Sequence, residues 1–304
     1  MFVTDAARSR ELARSLGRAG VWTFAFDQQP PDAIRAAARE IESLGFPALW
    51  IPEGMGSREV FSHLSLLLSS TDRLVCCSGI LNVGMRDPIA AALGARTLAE
   101  AYPGRVAIGM GIGHSYQAEI RGVTYSKPVA RMRAYLDAMA GPEVGEGTIA
   151  PMLLAALGDK MLELAAERSL GAHSYFVPVE HTERARRVLG SDPVLAVEQT
   201  AVLSTERETA MRIARRFSED YLSLPNYANN LRRLGYSEDD VAGAGSDRLV
   251  DATIATGNVD AITARVRAHL DAGADHVCVQ LLGEEESDVC LPALRELAPA
   301  LLSL

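Results

Sequence analysis

The chain has 304 residues, 48% hydrophobic and 23% charged, an ordinary soluble balance with length for one barrel-sized core or two smaller ones. Lys and Arg number 30 against 39 Asp and Glu, and the formal charge of -9 argues against a general nucleic-acid or anionic-membrane surface. No apolar run approaches the roughly 20 residues of a membrane span, and charges every few positions at the N-terminus do not suit a signal peptide. The four cysteines, Cys76, Cys77, Cys278 and Cys290, have no zinc spacing and read as reduced thiols of a cytoplasmic protein.

In chain order, Asp5 to Leu16 reads as a short amphipathic helix stopped by Gly17 and Gly20. Val21 to Phe26 is a first strand, rich in β-prone residues. Pro30-Pro31-Asp32 opens a helix to Leu44, which Gly45 ends. Strands follow at Ala48 to Ile51 and Leu74 to Leu81, then a helix near Pro88. A fourth strand begins at Val106, and a helix covers about Val129 to Met139. The stretch Gly141 to Gly147 links to a fifth strand, Met152 to Leu157, and a helix from Lys160 to Arg168. A strand (Ala172 to Val177), a helix (His181 to Leu189) and a strand (Val194 to Leu203) continue the alternation. Glu206 to Leu234 reads as one long helical stretch, although Asn226 to Asn230 departs from strict periodicity. Glu238 to Ser246 is a loop or short turn. Val259 to Ala272 is a helix, His276 to Leu281 the last strand, and Val289 to Leu302 the closing helix.

Eight apolar strands with helices between them have the rhythm of a (β/α)8 TIM barrel. The alternative is a doubly wound sheet, but nothing after the first strand looks like a dinucleotide-binding loop. One domain over residues 1–304 is expected. An excursion from Tyr221 to Ser246 should fall between the seventh and eighth strands, where the strand-to-strand interval is longest.

The fourth strand carries the most informative stretch, Arg105 to Glu119. Val106, Ala107 and Ile108 form a buried strand after the turn Tyr102-Pro-Gly-Arg105. Gly109, Gly111 and Gly113 then alternate through its end, removing side chains that would keep a ligand off the backbone. His114 follows with a titrating imidazole. The stretch fits a flat cofactor site, or else a glycine-rich connection with a surface histidine. In a barrel the reactive loops follow the strand ends, which selects Glu53, Gly79 to Asn82, Gly111 to His114, Leu157 to Asp159 and Val177 to Glu180 as one rim.

Five segments in order carry a resemblance: Ala48 to Glu53, Leu74 to Asn82, Tyr102 to His114, Leu154 to Ala165, and Ala272 to Val277. Over about residues 20 to 300 the chain resembles the bacterial luciferase-like flavin and deazaflavin superfamily. It is most similar to the actinobacterial branch of F420-dependent oxidoreductases. The resemblance implies a barrel with coenzyme F420 (an 8-hydroxy-5-deazaflavin) or FMN across its C-terminal rim. It implies a non-prolyl cis peptide in the third strand, at Gly79-Ile80, against the ring. Phosphate contacts carry over to Ala156, Leu157 and Gly158. Gly111 and Gly113 admit the cofactor chain, Val177 touches it from the sixth strand, and Gln117 lies with the cofactor-binding set. Asp159 reads first as a helix cap. A homodimer is implied by analogy.

Two positions carry chemistry under this resemblance. Glu53 matches an acid at the end of the second strand, and His114 falls where related sugar-phosphate dehydrogenases have an acid. Those enzymes have a histidine after the first position, where this chain has Gly54. The departure argues against their base and substrate. His63, His173, His181, His269 and His276 read as structural, and Trp22, Phe24 and Trp50 as barrel filling. Three functions compete: an F420-dependent oxidoreductase acting on an unidentified small organic substrate, an FMN-dependent monooxygenase fed by a flavin reductase, and a non-catalytic flavin-binding barrel.

Overall fold

The structure, a computed structural model, describes residues 5–304. β1 (Ala19–Trp22), β2 (Ala48–Ile51), β3 (Val75–Asn82), β4 (Val106–Gly111), β5 (Met152–Ala155), β6 (Gly171–Ser174) and β7 (Val194–Leu203) pair side by side in chain order, all parallel. β8 (Ile254–Gly257) is a short strand along the far half of β7. β9 (His276–Leu281) pairs with both β7 and β1 and closes the ring. Eight strands thus form the (β/α)8 barrel, with β8 outside the closed set.

Strand residues alternate between two cores, as the two-residue period of a strand requires. Val21, Leu49, Ile51, Cys76 and Ile108 pack with the surrounding helices. Trp22, Trp50, Cys77, Ala107, Leu153 and Cys278 pack together with Leu12 and Leu16 of the helix Ala6–Leu16, so that helix plugs one end of the barrel. Trp22 and Trp50 stand side by side in register on β1 and β2 and are fully buried. His276 Nδ1 donates to Gly17 O at 2.8 Å, and its Nε2 accepts from Trp50 Nε1 at 3.0 Å, which fixes the tautomer.

Several expectations shift. β1 stops at Trp22 rather than Phe26, because Thr23 Oγ1 accepts the Ala25 amide at 3.1 Å and turns the chain into a short 3-10 helix, Ala25–Gln28. The long stretch from Glu206 to Leu234 is two helices, Arg207–Leu222 and Pro225–Arg233. Pro225 forces Leu224 extended (φ -93°, ψ 117°). The helix Val60–Leu68 was not expected; Glu59 caps it, accepting the Phe61 and Ser62 amides. Asp159 is not the cap of the helix Asp159–Arg168; Gly158 is, and Asp159 turns to Arg184 instead. The excursion between β7 and β9 also contains the helix Asp247–Thr253 and β8, and it carries its own apolar cluster around Phe176, Ile213, Tyr227 and Leu231. All four cysteines are buried and unpaired, and among the described residues no helix is long and apolar enough to cross a membrane.

Candidate active site

A cavity of about 1460 Å³ opens over the C-terminal ends of the strands and beneath the excursion helices. Its floor is set by β3 and β4. The β3–β4 register shifts between Ser78 and Leu81, and a cis peptide joins Gly79 to Ile80 within that bulge. The glycines of β4 receive the bulge. A Cβ on Gly109 would stand 2.3 Å from Ser78 O, and one on Gly111 would stand 2.7 Å from Ile80 Cδ1. Gly113 has φ +75° and packs against the Asn82 and Gln117 amides. The space their side chains would fill is therefore taken largely by the chain itself, while Gly111 and Gly113 still line the cavity with backbone. Gly79 is equally constrained, since a Cβ there would lie 2.5 Å from Trp22 Nε1 and 3.2 Å from His173 Nε2. His173, read as structural, stacks on Trp50 at 4.6 Å and also lines the cavity.

His114 lies on the rim between β4 and the short helix Ser115–Ile120. Gln117 Oε1 accepts both the His114 amide at 3.1 Å and Asn82 Nδ2 at 2.8 Å, which ties this turn to the end of β3. The imidazole is stacked with Tyr116 (5.9 Å, 12°) and tilted on Tyr227 (5.9 Å). Its Nδ1 lies 3.3 Å from Asn226 Oδ1. A carboxamide oxygen only accepts, so Nδ1 carries the proton and Nε2 keeps a free lone pair. Burial lowers the His114 pKa below its ordinary 6.5, partly offset by the bond to Asn226. The ring is therefore neutral near pH 7. Asn226 was not expected as its partner, although the broken periodicity at Asn226 to Asn230 marked the segment.

Glu53 is 5% exposed and engaged on every side. Oε1 accepts the Val60 amide at 3.1 Å, and Oε2 accepts the Asn82 amide at 2.9 Å and Arg86 Nη1 at 2.6 Å. Arg86 Nη2 also donates to Oε1. Four donors fill the four lone-pair directions of a carboxylate. Glu53 thus joins the end of β2, the start of the helix Val60–Leu68 and the end of β3. Gly54 beside it lines the cavity without an imidazole.

At the end of β5, Ala156, Leu157 and Gly158 line the cavity and lead into the first turn of the helix Asp159–Arg168, where backbone amides have no intrahelical partner. Arg184 grips Asp159 with two bonds, at 3.0 and 2.7 Å, and holds its carboxyl below the usual range. Arg233, from the excursion, reaches to 3.8 Å of the Gly158 Cβ position and has no carboxylate partner among the described ion pairs. Burial and the neighbouring Arg184 lower its pKa. With Asp159 neutralised, Arg233 and Lys160 leave this end of the cavity positive and suited to an anion. Neither arginine was expected from the sequence. Val177 is buried in the outer core and is not on the cavity wall.

The fold and this rim together place the chain in a class. The Luciferase-like monooxygenase family matches residues 13–276, and the chain belongs to that family. A Mycobacterium tuberculosis protein named as a coenzyme F420-dependent oxidoreductase is 24% identical over 83% of this chain and 91% of its own length. Among solved structures, the coenzyme F420-dependent tetrahydromethanopterin reductase of Methanopyrus kandleri superposes with a TM-score of 0.71 at 16% identity, covering 94% of this chain and 99% of that one. The oxygenating constituent of 3,6-diketocamphane monooxygenase from Pseudomonas putida, in complex with FMN, superposes at 0.66 and 16% identity over 93% and 96% of the two chains.

Proposed function

We propose that the protein is an oxidoreductase that uses coenzyme F420 and acts on a small organic substrate. The observation that carries this reading is His114: a neutral imidazole with Nδ1 held by Asn226 and Nε2 free, on the rim of a cavity larger than the roughly 300–1,000 Å³ usual for one ligand. Space for two molecules beside a proton-transfer group is what a cofactor-linked redox step requires. The residues present fit the cofactor. The backbone of Gly79, Ile80, Gly111 and Gly113 and the side chain of Gln117 offer a flat face to its ring. Ala156, Leu157 and Gly158, with Arg184 and Arg233 behind them, suit its phosphate. When bound, the deazaflavin supplies hydride exchange at a ring carbon. His114 Nε2 takes a proton from, or returns one to, the substrate oxygen or nitrogen. Asn226 holds the imidazole and Gln117 holds the His114 backbone amide, and Glu53 with Arg86 braces the rim.

Names of relatives favour F420, whereas the Pseudomonas putida structure keeps FMN as the competing cofactor of the same barrel. Titration of the purified protein with each, followed through Trp22 and Trp50 fluorescence, separates them. Saturable F420 binding tighter than FMN binding is expected. Preferential FMN retention supports the flavin monooxygenase reading, and binding of neither removes the enzymatic one. A homodimer is the assembly the resemblance suggests, and sedimentation equilibrium measures it.

A further inference from the structure

The wall facing the glycine strands is aromatic, and the reading above does not use it. Trp22 sits 4.3 Å from Phe24 and 5.1 Å from Tyr175, ring centre to ring centre. Tyr175 is 5.1 Å from Tyr221, and Tyr221 is 4.6 Å from Phe217 and 5.1 Å from Tyr227. All six line the cavity. Sequence spacing builds the upper part: Phe217 and Tyr221 are four apart on the helix Arg207–Leu222 and share a face. Tyr175 is set by the exit of β6, where Phe176 adopts φ +51° and its amide donates to Glu198 Oε2 at 3.1 Å.

The wall contains one ordered polar path. Tyr175 Oη donates to Gln280 Oε1 at 2.6 Å, and Tyr221 Oη donates to Tyr175 Oη at 3.0 Å. A carboxamide oxygen only accepts, so it fixes the direction of both bonds. The proton of Tyr221 is committed inward, and its oxygen keeps a lone pair. Burial raises the pKa of both tyrosines, so the path stays uncharged.

We propose that this wall is the substrate subsite, and that it takes a planar, uncharged aromatic or conjugated ring bearing a hydroxyl or N–H that donates into Tyr221 Oη. A flat π-face can stack on such rings or meet their edges, which a saturated ring of the same size cannot match electrostatically. An uncharged ring fits because the six aromatic side chains and the hydroxyl path carry no charge themselves; Lys160, Arg184 and Arg233 lie at the Gly158 end, while Arg216 and Asp220 flank Phe217 and Tyr221 with charges of opposite sign. The assignment of this ligand as a substrate rests on the oxidoreductase reading; its binding does not.

The test is calorimetric titration of the full chain, with and without saturating F420, using three probes of similar size: 2-naphthol, 2-methoxynaphthalene and 2-decalol. 2-Naphthol should bind best, with 2-methoxynaphthalene, which has no proton to donate, about three- to tenfold weaker. 2-Decalol, which keeps the hydroxyl but lacks the flat ring, should be weaker by a similar factor. Tyr221→Phe should abolish the difference between the two naphthalenes, and Phe217→Leu should weaken both while keeping their ratio. The subsite is overturned if no probe binds, if 2-decalol equals 2-naphthol, or if Tyr221→Phe leaves the naphthalene ratio intact. Failure of F420 to bind while the probe order holds removes the oxidoreductase reading alone.

Discussion

Two strand ends on the same rim use their polar residues in opposite ways. After β2, Glu53 meets four donors and has no direction left for a ligand. After β4, the His114 imidazole meets one side-chain acceptor and keeps Nε2 open. A residue type suited to proton transfer is available for it only where the surrounding chain leaves a lone pair or proton unspent. Sequence position alone makes the two equal candidates; their partners separate them.

The largest effect should come from unpairing the Glu53 side. Arg86→Ala leaves a carboxylate 1% exposed at the side chain without its counter-ion. Loss of one partner from a buried pair costs about 3–5 kcal/mol. Chemical denaturation should show that loss as a lower midpoint with an unchanged slope. Glu53→Gln sharpens the comparison: activity per folded molecule should persist. If Glu53→Gln folds fully yet has no turnover, Glu53 transfers the proton and the brace is secondary.

His114→Ala should have the opposite signature. The protein stays folded and binds F420, but turnover on a verified substrate falls by about a hundredfold or more, the usual worth of a positioned acid or base. Turnover at the parent rate removes His114 from the proton step. Loss of F420 with the fold intact makes it a binding residue.

The barrel was legible because strand periodicity is local: eight apolar runs, bounded by Gly and Pro, identify themselves without knowledge of their neighbours. The missed helix Val60–Leu68 was also legible, since Glu59 caps a run with apolar residues at Val60, Leu64, Leu67 and Leu68. Other features were not local. Arg86 meets Glu53 across 33 residues, Asn226 meets His114 across 112, and Arg233 reaches Gly158 from the excursion. The glycine run was visible in the sequence, but the pairing of Gly109 and Gly111 with the β3 bulge depends on which strand lies beside them. Contacts of that range follow from topology, and no spacing in the sequence records them.

The smallest effect concerns the one bond that orients His114. Asn226→Ala removes the acceptor at Nδ1, worth about 0.5–1.5 kcal/mol, so kcat should fall about three- to tenfold with little change in KM. The pH profile distinguishes orientation from general packing. Burial holds the His114 pKa below 6.5 and the Asn226 bond raises it, so the acid limb of the profile, where the imidazole gains its proton and stops acting as a base, lies below pH 6.5. Removing the bond should move that limb to still lower pH. Asn226→Asp places a negative charge at the same atom, which favours the imidazolium, and should move the limb upward instead. Opposite displacements in the two variants identify Asn226 as the residue that positions the base. An acid limb that stays fixed in both assigns the titration to another group and leaves Asn226 as packing between the excursion and the rim.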